Sequence, residues 1–177
     1  MKFGKVEIEI NIGDITKQND INTIVNAANA ELQIGSGVAG AIHTAAGPLL
    51  ADECQSLAPI HPGEAVITGA YELPNKRIIH VLGPIYGFNQ PEVQFLKDCY
   101  KNALELAEKY NVDSIAFPAI STGAFGYPIE EATKIVISAV KEYCSKATSI
   151  KLIRFILFNE KDYMVYENEL NKSLNDE

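Results

Sequence analysis

Ile24-Val-Asn-Ala-Ala-Asn29, followed shortly by Gly35-Ser-Gly-Val-Ala-Gly40-Ala-Ile-His43, decides how this chain is to be read. A short apolar strand runs into two side-chain amides, then into a glycine loop that opens a helix. Glycines let backbone N–H groups approach a phosphate closely, and the helix start adds the positive end of its dipole. Asn26 and Asn29 fall where a sugar attached to that phosphate would lie. The arrangement points to a ligand that is part phosphate and part sugar, hence a nucleotide derivative.

The loop also spells G-x-G-x-x-G, the dinucleotide fingerprint of redox folds. That fingerprint follows its strand at once and is completed by an acid about 20 residues on, at the end of the next strand. Here residues 26–34 intervene. The acid at the right distance, Glu64, stands before the next apolar run (residues 65–70), the wrong end to reach a ribose. The redox reading fails on context.

The 177 residues suffice for one domain that buries about 70% of its unfolded surface. Apolar content of 47% with 21% charged residues suits a water-soluble globule. No segment approaches the roughly 20 apolar residues of a membrane span, and residues 1–10 alternate polar and apolar instead of forming an apolar leader. A cytoplasmic protein without membrane association is expected. Cys54, Cys99 and Cys144 are far apart and odd in number, as for reduced buried thiols, and neither they nor the three histidines have metal-ligand spacing. A net charge of −8 disfavours nucleic-acid binding, which relies on Lys and Arg. If the ligand carries phosphate, main-chain amides must hold it.

Residues 5–11 alternate at period two, as in a half-buried strand. Residues 23–26, 65–70, 77–82, 114–117 and 152–158 read as further strands, with Pro74-Asn75 turning the second of these into the third. Helices are expected over 38–46, 92–110, 129–144 and 161–173, with Pro91 at a position suited to a helix start. Strands alternating with helices predict a three-layer α/β/α sandwich. The tight 71–76 connection makes its sheet of about six strands mixed.

In such sheets ligands bind beyond the carboxyl ends of the strands. Four segments converge there: Gly13-Asp14-Ile15, residues 26–40, residues 119–127, and Phe158-Asn159. Ile120-Ser-Thr-Gly-Ala-Phe-Gly-Tyr-Pro128 forms a second phosphate-type loop, so two loops can straddle a pyrophosphate. Asp14 can accept from an exocyclic amine of a base, or simply stabilise its own turn. Phe158 can be core, or can stack on that base.

Gly13-Asp-Ile-Thr16, Val25-Asn-Ala-Ala-Asn29, the Gly35 to His43 loop, Ile79-His-Val-Leu-Gly-Pro84 and Ile115-Ala-Phe-Pro-Ala-Ile-Ser-Thr-Gly-Ala-Phe-Gly126 together resemble a macro domain. The resemblance covers nearly the whole chain and implies a single macro domain over residues 1–177. It implies binding of ADP-ribose or O-acetyl-ADP-ribose, and hydrolysis of ADP-ribose attached to proteins, nucleic acids or acetate. Carried over by position, it gives Asp14 the adenine amine and the Ile15 amide the ring nitrogen. Asn29 takes the distal ribose and, with Phe125, the catalytic role. Asn26, Gly35, Ser36, Gly37, Val38 and Ala39 line one side of the ligand. Ser121, Thr122, Gly123, Ala124 and Phe125 line the other, and Phe158 with Asn159 lies at the adenine. His43 and His80 read as packed structural histidines.

One departure matters. The hydrolases of this family most studied as mono-ADP-ribose erasers carry an Asp after Gly-Val, where this chain has Ala39, and loss of a general base typically costs about 10²–10⁴ in rate. Viral macro domains are similar here, with Gly-Val-Ala-Gly, and remain hydrolases. The resemblance therefore implies slow removal of ADP-ribose from acidic side chains or from O-acetyl-ADP-ribose. The alternative is a reader that binds without cleaving. No cofactor or metal is implied. Mono-ADP-ribosylated proteins are the expected partners, nucleic acid enters only as a modified substrate, and a monomer is expected.

Overall fold

A computed structural model describes residues 1–175 of the chain. Its strands are β1 (Lys2–Phe3), β2 (Val6–Ile12), β3 (Thr23–Ala27), β4 (Ala65–Gly69), β5 (Arg77–Val81), β6 (Ser114–Pro118) and β7 (Leu152–Leu157). Its α-helices are α1 (Gly37–Ala46), α2 (Leu49–Gln55), α3 (Glu92–Lys109), α4 (Ile129–Cys144) and α5 (Glu160–Asn175). A 3₁₀ turn, Ile15–Lys17, follows β2.

The seven strands form one mixed sheet in the order β1-β2-β7-β6-β3-β5-β4. β2, β7, β6, β3 and β5 run parallel, with β1 and β4 antiparallel at the edges. The expected α/β/α sandwich is present, with seven strands where about six were expected. The additional one, β1, is two residues long, too short to show a period.

Alternation along the inner strands feeds two cores. Ile115 and Phe117 of β6, with Ile153, Phe155 and Leu157 of β7, face α3, α4 and α5. Ala116 and Ile156 face α1 and α2, joined by Ile24, Ile42, Leu50 and Ile78. Ring centroids 4.9 Å apart (Tyr100–Phe117), 6.2 Å (Phe117–Phe155) and 5.2 Å (Phe155–Tyr166) make a continuous aromatic ladder through the first core. All three cysteines are free and buried.

Arg154 of β7, 8% exposed, ties the strand ends together. Its Nε donates to Glu9 at 2.5 Å, and the guanidinium grips Asp20 in two bonds of 2.8 and 2.7 Å. A further bond reaches Gln18 Oε1 at 3.0 Å, and Gln18 Nε2 donates to the Asp14 carbonyl at 2.8 Å. Asn75 holds the same turn by donating to the carbonyls of Gln18 and Ile21. A buried cation satisfied on every side thus fixes the segment that carries Asp14.

Candidate functional site

A cleft of about 440 Å³ opens at the carboxyl edge of the parallel strands, the position such sheets favour for ligands. One wall is the connection from β3 to α1. Asn29 shapes it: its Nδ2 donates to the Gln33 carbonyl at 2.8 Å, and its Oδ1 accepts from the Gln33 amide at 3.0 Å. This two-bond clasp closes the loop and leaves Asn29 half-buried on the cleft wall. A Cβ at Gly35 would stand 3.2 Å from Asn29 Nδ2, and one at Gly40 only 2.3 Å from the Gly35 carbonyl oxygen. Both glycines permit contacts that a side chain would spread apart.

Gly37 opens α1 with φ +61°, and Ser36 precedes it without a side-chain capping bond. The first-turn amides of a helix have no partner within it, so those of Gly37, Val38 and Ala39 remain available at its positive end.

The opposite wall is the connection from β6 to α4. Ser121 adopts φ +66°, and its packing depends on Gly83, where a Cβ would lie 2.2 Å from Ser121 Oγ. Thr122 folds back on the Ala119 carbonyl through its hydroxyl at 2.8 Å. The turn closes through Gly126 N to Gly123 O and Tyr127 N to Ser121 O. Among the described residues, the amides of Gly123, Ala124 and Phe125 find no acceptor in the protein. Phe125 is half-buried against the α1 side of the core, and Tyr86 N donates to its carbonyl at 2.9 Å. Phe158, 74% exposed just beyond β7, lines the same cleft.

The sequence-predicted residues Asn29, Gly35, Ser36, Gly37, Val38, Ala39, Ser121, Thr122, Gly123, Ala124, Phe125 and Phe158 are therefore brought together. Asn26 is not among them. It is 1% exposed, and its Nδ2 lies 3.0 Å from His80 Nδ1, across the register that pairs Asn26 with His80. The second His80 nitrogen meets Thr68 Oγ1 at 2.9 Å, and that hydroxyl already donates to the Gly69 carbonyl. Both ring contacts are met when His80 Nε2 carries the proton and Nδ1 accepts, while Asn26 Oδ1 is buried without a partner among the described residues. Burial, with the His43 charge adding to it, pushes the His80 pKa down to about 3, which keeps the ring neutral. Asn26 is thus enclosed within the sheet, apart from the cleft wall.

Asn159 stands just outside the cleft wall. Its Oδ1 accepts from the Asp162 amide at 2.9 Å, which makes it the cap of α5. Asp14 and Ile15 also lie outside the wall. Asp14 Oδ1 accepts from the Thr16 hydroxyl at 2.6 Å and the Thr16 amide at 2.9 Å, in that order lowering its pKa. Its other carboxylate oxygen remains open. The Ile15 side chain is 5% exposed and anchors the turn in the core. Gly13 N donates to the Leu157 carbonyl at 3.0 Å, which sets this turn beside the Phe158 end of the cleft.

Sequence reasoning missed Asp162 and Gly83 on the cleft wall, and it placed Ala27, Ala28, Ala119 and Ile120 there only as parts of the converging segments, without individual roles. Asp162 was legible as the fourth residue of an Asn-x-x-Asp box, which folds its carboxylate back towards the strand end.

The macro domain model matches residues 25–136. The O-acetyl-ADP-ribose deacetylase of Klebsiella pneumoniae (strain 342) is 44% identical over 170 residues, covering 93% of this chain and 97% of its own. The Oceanobacillus iheyensis macrodomain, solved with ADP, superposes with a TM-score of 0.95 at 39% identity, over 100% of this chain and 96% of its own. The Trypanosoma brucei macrodomain in complex with ADP-ribose gives 0.85 at 36% identity, over 91% of this chain and 68% of that one.

Proposed function

This chain belongs to the macro domain family, and from that premise we propose that it binds ADP-ribose and slowly hydrolyses it from acidic protein side chains or from O-acetyl-ADP-ribose. The observation that carries the reading is the pair of facing loops in which the amides of Gly37 to Ala39 and of Gly123 to Phe125 are uncommitted. An uncovered ring, Phe158, stands at one end of the cleft. A diphosphate bridge fits between the loops and a base fits against the ring. The whole chain, 1–177, acts as one such domain, and its partners are mono-ADP-ribosylated proteins.

Within this scheme Gly37, Val38 and Ala39 donate to the diphosphate from the α1 side, and Ser121 to Phe125 line the other, with Gly123, Ala124 and Phe125 donating. The ring of Phe125 and the amide of Asn29 orient the distal ribose and the attacking water. The open oxygen of Asp14 accepts from the adenine amine, and the Ile15 amide serves the ring nitrogen. Ala39 offers no group to take a proton. What remains is orientation by fixed backbone and stabilisation of charge on the diphosphate, which accounts for a slow rate without excluding one.

Ala39 also favours a second reading, a module that recognises ADP-ribose without cleaving it. Calorimetric titration with ADP-ribose, followed by release from a glutamate-linked mono-ADP-ribosylated protein on the same sample, separates the two. Binding with release supports the hydrolase, and binding without release at high enzyme concentration supports the reader. No binding overturns both.

A further inference from the structure

Among the described residues the cleft wall holds one charged side chain, and its sign is wrong for a diphosphate: Asp162. The residue is half-buried in the first turn of α5. Among the described residues it forms no ion pair with a Lys or Arg, and its carboxylate meets only the Asn159 amide group, at 3.4 Å. A carboxylate in a cleft for a dianion must face a part of the ligand that donates.

The strand order says which part. β7, which delivers Phe158 and Asp162, lies two strands from β3, which delivers the α1 amides. That separation is about 10 Å. Asp162 therefore shares the Phe158 flank, four residues further along the chain, away from the start of α1. A base stacked on Phe158 leads through its ribose to the loops, so the sugar next to the base passes Asp162.

Resting on the reading of the cleft as an ADP-ribose site, we propose that Asp162 is a specificity-determining residue for the adenosine ribose. Its carboxylate accepts from the vicinal hydroxyls of that sugar and by its charge rejects ligands that carry a phosphate there. A carboxylate accepts only, and a phosphate in place of a hydroxyl would set like charges against each other in a partly dry cleft. The same logic lets an acid read a ribose hydroxyl in dinucleotide folds. The amide loops cannot make this distinction, because they favour any phosphate.

The test measures the affinities of ADP-ribose and of ADP-ribose bearing a 2′-phosphate on the adenosine ribose, on parent, Asp162→Asn and Asp162→Glu. The parent prefers the unphosphorylated ligand by about tenfold or more, Asp162→Asn brings the two within about threefold, and Asp162→Glu keeps the preference. Each readout is a ratio on one sample, so partial misfolding of a variant cancels. Equal affinities in the parent, or a preference that survives in Asp162→Asn, overturn the inference alone. Failure of the parent to bind ADP-ribose overturns the function and this inference with it.

Discussion

Ala39 is 4% exposed, and its methyl lies 3.8 Å from the position a Gly35 Cβ would take, beside the Asn29 amide. Ala39→Asp should raise the rate of ADP-ribose release by about 10²-fold, the lower end of what a positioned base contributes. Single-turnover release measures it, and an unchanged rate would remove this position from the chemistry. Asp14→Ala should weaken ADP-ribose binding by about 1–3 kcal/mol, as expected for a hydrogen bond to a charged group, read by calorimetry. His80 makes a pH prediction. Unfolded, it titrates near 6.5; folded, burial pushes it down to about 3. As pH falls through 6.5 the unfolded chain takes the proton first. The stability that neutral His80 supports is complete above that pH and drains away towards pH 3, by on the order of 4–5 kcal/mol. Melting temperature against pH should therefore slope less steeply between pH 6.5 and 4 in His80→Gln. At this scale the glycines and the Asn29 amide were legible because their chemistry is local. Asn26 was not: its partner His80 lies 54 residues away, on a strand whose register no local pattern states.

At the scale of elements, α1 packs against its own entry loop with no space to spare. Gly40→Ala would put a methyl 2.3 Å from the Gly35 carbonyl oxygen. The loop must then shift, and ADP-ribose affinity should fall about tenfold or more while the melting point changes little, since α1 tolerates alanine well. Glu108, in the last turn of α3, holds the turn that leads into β7. Its carboxylate accepts from the hydroxyls of Tyr143, Thr148 and Ser149 and from the amides of Thr148 and Ser149. Burial alone would raise its pKa, but the hydrogen bonds from Thr148, Tyr143 and Ser149 outweigh that and hold it well below the usual carboxylate range. Its support is present above pH 4.5 and lost as the solution is acidified. Glu108→Ala should cost about 2 kcal/mol, a drop of roughly 4–8 °C in thermal unfolding. Long periodic elements such as α3 and α4 were readable because each buries a full stripe. α2 was not, since Leu50 and Cys54 are its only buried residues and two points define no period.

At the scale of the whole molecule, a −8 protein is proposed to bind a dianion with no cationic side chain, among the described residues, on the cleft wall. Long-range repulsion then opposes encounter, and salt screens it. Raising sodium chloride from about 20 to 200 mM should speed association with ADP-ribose, the reverse of what a phosphate-binding basic patch shows; stopped-flow kinetics decides it. The layer order, the mixed sheet and the convergence of loops beyond the strands' carboxyl ends followed from the alternation of strands and helices, whereas the strand order that sets β7 two strands from β3 depends on crossovers that sequence spacing leaves open. A grip made of peptide groups has a further consequence for any inhibitor designed against this crevice. Resistance usually arises when a contacting side chain is swapped, yet a compound held at the proposed diphosphate site would be anchored by atoms common to all amino acids. Escape from that anchor would have to come through Gly35, Gly40 or Gly83, where a side chain would crowd the enclosing walls and weaken the protein's own ligand as much as the drug.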